Sequence, residues 1–120
     1  MNTFSPNSTE RAEIERRRKF PRYRVNLPTT VTLLGHAGYV TVQGHCTELA
    51  EGGLGVMVSA DLVSGEIVSL KLWIPNLKEP LALRAVVRRQ AGLLHGMEFV
   101  TILPDQCETI RTFCSGLLPA

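Results

Sequence analysis

From Leu27 onward, apolar residues recur at every second position in one short run after another. A period of two sends successive side chains to opposite faces, so each run reads as a strand with one buried face. Val31 and Leu33 alternate with Thr30 and Thr32, and Val40 and Val42 with Thr41 and Gln43. Leu54, Val56 and Val58 alternate with Gly55 and Met57. Val68, Leu70, Leu72 and Ile74 share a face opposite Ser69 and Lys71. Leu81, Leu83, Ala85 and Val87 alternate with Arg84 and Arg88, and Met97, Phe99 and Thr101 with Glu98 and Val100. Turn formers punctuate the runs at Gly35 to Gly38, Gly52-Gly53, Ser64-Gly65, Pro75 to Pro80 and Ala91-Gly92. The period then changes. After Pro104-Asp105, Cys107, Ile110, Phe113, Cys114 and Leu117 fall at spacings of three and four, which predicts an amphipathic helix over 104–117. About six strands followed by one helix predict an all-β fold with one C-terminal helix, a six-stranded antiparallel barrel over 27–102. Closing the sheet removes edges that a chain of 120 residues has little else to cover.

That length suffices for one domain and not for two. With 44% hydrophobic residues the chain is too apolar to be disordered, and large enough to fold without staples. Three cysteines make no disulfide framework and point to the reducing cytosol, so a cytoplasmic location is expected. No stretch approaches the ~18 uncharged apolar residues of a spanning helix, and the polar first 14 residues do not read as a signal peptide. No membrane insertion is expected.

The net charge of +2 is an average over unlike parts. Residues 1–26 hold seven basic and three acidic residues, whereas 27–120 hold six and eight. Residues 1–13 read as a flexible tail, and helix formers between 10 and 18 predict a short helical turn that Pro21 ends. The positive charge concentrates in an arm over 15–24, where six of ten residues are basic. Such an arm attracts anions, because arginine presents a planar fork of donors that matches phosphate and the acceptor edge of guanine. Taken alone, it is equally well a solvated surface run.

A second feature is Glu48-Leu49-Ala50-Glu51-Gly52-Gly53-Leu54-Gly55. Its glycines permit a tight turn and close approach of backbone to a ligand; the plain alternative is a hairpin turn with a bulge.

Together, the two features and the strand order resemble the PilZ domain family. Its members are six-stranded barrels that bind the bacterial second messenger cyclic di-GMP. Arg17, Arg18 and Arg22 match the family's RRxxxR motif ahead of the first strand. Glu48, Ala50 and Gly53 occupy the positions of its (D/N)xSxxG motif, and His95-Gly96-Met97-Glu98-Phe99 is similar to its last strand. The resemblance covers about residues 14–118. It implies a non-enzymatic receptor or adaptor that takes cyclic di-GMP as ligand, needs no cofactor, and passes its signal to an output protein as the arginine arm closes over the ligand. Ligand-binding residues implied are Arg17, Arg18, Arg22, Glu48, Ala50 and Gly53, with Arg88 beside the site as a secondary candidate.

The sequence departs from the family at two places. Glu48 stands where the family has Asp or Asn, and Ala50 where it has Ser. Glu48 keeps a charge on a longer stem and can still pair with the arm; Ala50 loses a hydroxyl contact. These departures leave an alternative open, a PilZ-fold adaptor that has lost the ligand and acts by protein–protein interaction.

Other chemistries have weaker support. The three histidines and three cysteines show no CxxC or HxxxH spacing, so no metal site is expected. Ser59, Asp61 and the histidines form no recognisable nucleophile–base set. Trp73 reads as packing. Tyr23, Tyr39 and Trp73 are too few for a base-stacking platform, which argues against nucleic acid as partner.

Overall fold

The structure is a computed structural model that describes residues 20–117. The tail, the helical turn ahead of Pro21, and Arg17 and Arg18 lie outside the described residues. Six strands run in chain order: β1 (Tyr23–Gly35), β2 (Gly38–Ala50), β3 (Gly53–Val58), β4 (Ile67–Leu72), β5 (Leu81–Ala91) and β6 (Leu94–Thr101). One helix follows, α1 (Pro104–Cys114). Every strand pairing is antiparallel, and the strands close into a barrel in the order β1-β2-β3-β6-β5-β4. The six-stranded barrel with one C-terminal helix is thus the fold the alternation predicts.

The apolar face of each strand fills the barrel. Val31, Val56, Leu70, Leu72, Ala85 and Val87 are fully buried, while their neighbours in sequence are partly or fully exposed. Ile110 and Cys114 of α1 join the same core, so the helix closes one side of it. Pro104 opens the helix, where its missing N–H costs nothing. Gln106 fixes that end, accepting from the Leu103 N–H at 3.0 Å and donating to the Ala82 carbonyl at 2.7 Å.

Three boundaries differ from expectation. The barrel begins at Tyr23 and not at 27, so Arg24 belongs to a strand and not to an arm. Tyr23, Val25 and Leu27 do alternate with Arg24 and Asn26, but the charges hide the pattern. The helix ends at Cys114 and not at 117. Ile74 is buried as expected, yet it follows β4, which ends at Leu72, and Trp73 beside it is half exposed.

Two irregularities mark the barrel. The β1–β2 register shifts between Arg24 and Leu27, the β2–β3 register between Cys46 and Glu48, and the β5–β6 register between Val87 and Arg89. Such bulges re-aim side chains without breaking the sheet. The second irregularity is the β1–β2 hairpin. β1 pairs with β4 only over Thr29–Thr32, and β2 with β3 only from Gly44 onward. Residues 33–43 therefore form a two-stranded ribbon beyond the barrel. The molecule measures 51 × 34 × 22 Å with a radius of gyration of 15.3 Å, above the ~13 Å of a compact 100-residue domain, as a projecting ribbon requires.

Two outcomes are expected of this packing. A Cβ on Gly53 would overlap the carbonyl oxygen of Met97 on β6, so Gly53→Ala forces the strands apart. It should lower stability by roughly 1–3 kcal/mol in urea unfolding. Cys46 is fully buried, and burial pushes its thiol up to about 12. A thiol raised in the folded state favours folding below its ordinary value of 9.0, a contribution lost as pH rises towards 12. Thermal melts above pH 9 should therefore lose less stability in Cys46→Ala than in the parent.

Candidate functional site

The bulged stretches of β1, β2 and β5 face one open cleft of about 1240 Å³. One wall is the start of the described chain, with Phe20, Arg22, Arg24 and Val25. The floor is the β2–β3 turn, including Glu48, Ala50, Gly52 and Gly53. The far wall is the end of β5 and the β6 strand beside it, with Arg88, Arg89, Gln90 and Glu98. Of the residues singled out in the sequence, Arg22, Glu48, Ala50, Gly53 and Arg88 all line this cleft. Arg17 and Arg18 lie outside the described residues.

Arg22 donates from Nη1 to Glu48 Oε1 at 3.3 Å, both groups half exposed. The longer glutamate stem thus reaches the arm-side arginine across the β1–β2 pair, where Glu48 stands opposite Arg24. Ala50 is buried, a small side chain at that point of the floor. The next glycines have different tasks. Gly53 lets β3 and β6 meet, as described above. A Cβ on Gly52 would stand 3.0 Å from the ring of Phe20, so a bare Gly52 lets that ring lie on the turn. Phe20 is the aromatic residue of Arg17-Arg18-Lys19-Phe20-Pro21-Arg22, and its ring lies on the turn at Gly52.

On the far wall, Arg88 holds Glu98 Oε1 through Nε and Nη2, both at 2.9 Å. Arg89 lies against Gly96, whose missing side chain leaves room for the guanidinium stem. Four arginines and two glutamates line the cleft, so its field is positive. Arg24 and Arg89 form no ion pair among the described residues, so their charge is available to a ligand. Phe20, Arg24 and Arg89 were not among the candidate residues. Their part rests on register shifts and on a contact across 32 positions, neither of which has a compositional signal.

The turn is also tied to the helix. Glu51 accepts from Arg111 Nη2 at 2.8 Å, and Arg111 reaches Glu108 through Nη1 at 2.6 Å. The Cys107 thiol donates to the same Glu51 oxygen at 3.3 Å. The Arg111 hydrogen bond holds the Glu51 carboxyl below its ordinary value, against the opposing push of partial burial. Burial, and then Glu51, push the Cys107 thiol up.

The remaining histidines and cysteines are dispersed. His45 is exposed and Cys46 beside it is buried, on opposite faces of β2. His95 is fully buried with Nδ1 2.9 Å from the Leu93 carbonyl. Among the described residues no three His, Cys, Asp or Glu side chains converge as a metal site, and no helix is long and apolar enough to cross a membrane.

Comparison with known proteins bears on the fold and the family. No curated protein sequence matches the chain. Among solved structures, the Bacillus subtilis inhibitor of motility MotI/DgrA superposes with a TM-score of 0.68 at 18% identity, over 83% of this chain and 50% of that one. The chain thus spans half the length of MotI/DgrA. The PilZ domain of CeSA from a cellulose-synthesizing bacterium gives 0.60 at 22% identity, over 79% and 95%. The PilZ domain of YcgR from Escherichia coli, a structure with c-di-GMP, gives 0.65 at 14% identity, over 84% and 91%. These likenesses establish the shared fold. The sequence model of the PilZ domain matches residues 16–116, a span that takes in the basic run, the barrel and the helix, and the chain belongs to the PilZ domain family.

Proposed function

We propose that the protein is a non-enzymatic bacterial receptor for cyclic di-GMP, acting in the cytoplasm and passing its signal to a separate output protein. The observation that carries this reading is the convergence of Arg22, Glu48, Ala50 and Gly53 on one positive cleft. The family and the ligand in the YcgR structure support it.

The ligand's two phosphates and two guanines suit what the cleft offers. Arg22 exchanges its carboxylate partner for a phosphate or a guanine acceptor edge, a charge-assisted contact. Arg17 and Arg18, five and four residues ahead of it, supply the rest of the arm's charge. Arg24 and Arg89 add positive field from the two walls, and Arg88 is a secondary contact once it parts from Glu98. Gly52 and Gly53 keep the floor low, so a flat guanine can lie close to backbone. Glu48 competes with the ligand for Arg22, and Ala50 withholds a hydroxyl. Both departures lower affinity without removing the arginines that supply the larger electrostatic share. Ordering of the arm against the barrel is the signal that the partner reads.

A second reading has one specific observation in its favour. Arg22 already has an anionic partner in Glu48, so the arm can hold its bound-like position with no nucleotide. The protein would then be an adaptor that binds its partner in every condition.

Isothermal titration with cyclic di-GMP tests the first reading. Heat of binding is expected, with Arg22→Ala abolishing it. Ala50→Ser should tighten binding about three- to tenfold, the worth of one restored hydrogen bond of ~0.5–1.5 kcal/mol. Folded protein that gives no heat at high ligand concentration excludes the receptor reading. A partner protein captured equally with and without nucleotide then establishes the adaptor.

A further inference from the structure

The β1–β2 ribbon plays no part in the cleft, which lies at the other end of the same strands. In the ribbon the register is regular from Leu27↔Cys46 to the turn at Gly35↔Gly38, with no bulge. Thr32 and Thr41 share a hydrogen bond at 3.1 Å on one face, and Thr30 donates to Gln43 at 3.3 Å on the same face. The opposite face carries Leu33, Val40 and Val42 as a continuation of the core face of Val31. Leu34, Tyr39 and Val40 are among the most exposed large apolar residues, Tyr39 at 81%.

The outer edge of β2 over residues 38–43 pairs with nothing among the described residues, because β3 begins its ladder at Gly44. Alternate N–H and C=O groups along that edge therefore point at solvent. Proteins usually guard such an edge with charge, proline or a bulge, and Gly38-Tyr39-Val40-Thr41-Val42-Gln43 has none of these. A two-stranded ribbon with apolar side chains on both faces is also marginal by itself in water. Both facts point to a strand that completes the ribbon.

The sequence of the edge identifies which strand. Read about Thr41, its inner pair is symmetric: Val40 and Val42 flank the centre, with Tyr39 beyond on one side and Gln43 on the other. Antiparallel pairing with an identical edge places Thr41 opposite Thr41, Val40 opposite Val42, and Tyr39 opposite Gln43. Every side chain keeps its face in that register, so the valines make one apolar stripe across four strands. A two-fold axis sets each charge opposite its own copy or a near neighbour, and this edge contains no charge to repel. The ribbon also projects past the strands on either side, so a second barrel need not be crossed to reach it.

We propose that the β2 edge from Tyr39 to Gln43 is a homodimer interface, with two copies of the chain joined by antiparallel β2–β2 pairing about an axis through Thr41. Pairing of one short strand buries less than the ~1,200 Å² of a standard interface, so the dimer is reversible.

Sedimentation of the full chain over a range of concentrations tests the proposal, up to the order of 100 micromolar, where an affinity of this class is read directly. The expected result is a monomer–dimer equilibrium. Thr41 is exposed, so its variants keep the fold while setting like charges face to face. Thr41→Lys and Thr41→Asp should each weaken the dimer about tenfold or more, and an equal mixture of the two should recover it. A full chain that stays monomeric throughout overturns the proposal, as does a dimer that neither variant disturbs. A full chain that is monomeric but dimerises once residues 1–14 are removed also overturns it, and assigns the edge to the chain's own N-terminal segment.

Discussion

Closure of the sheet is the constraint on which the rest of this structure depends. β1 must satisfy β2 on one edge and β4 on the other, and β6 must fit between β3 and β5. A closed sheet of only six strands is strongly curved, and regular pleating cannot supply that curvature alone. The chain supplies it with bulges near Arg24, Thr47 and Arg88, and by letting β3 and β6 touch at Gly53. The same bulges face the cleft. Geometry needed to close the barrel therefore falls where Arg24, Arg88 and Arg89 line the cleft.

This explains why the site is poor in its own structural elements. No extra helix or inserted loop among the described residues builds it. The floor is a turn between consecutive strands, and the walls are strand ends that the barrel needs in any case. What distinguishes this end of the barrel is charge: arginine on both walls, and glutamates that hold Arg22 and Arg88 in place. Each of those ion pairs is partly exposed, so it adds little to stability and can exchange for another anion.

Much of the architecture was legible in the sequence, because alternation and punctuation are local signals. Val68 to Leu72 and Leu81 to Val87 needed only a period of two, and Pro104 with Ile110 and Cys114 needed only a change of period. Arg22, Glu48 and Gly53 were legible as a group because the spacing of the family's motifs carries them. Registers were not legible, since a bulge at Thr47 or Arg88 has no compositional mark. Contacts distant along the chain were hidden for the same reason. Phe20 on Gly52, and Arg111 on Glu51 across 60 positions, exist only once the barrel has closed. Arg24 is a different case: its alternation was present, but six basic residues in ten drew the boundary of the arm too far along the chain.

The tie between Glu51 and Arg111 has a consequence for the molecule as a whole. Glu51 lies between Ala50 and Gly52, so the floor of the cleft and the outer surface of α1 share a joint. An occupant that moved the floor would strain or relax that joint. Linkage is reciprocal, so anything that grips the helix and alters the joint changes the hold on the occupant by the same factor. The helix is thereby joined to the floor of the cleft through Glu51, on a surface outside the cleft lining.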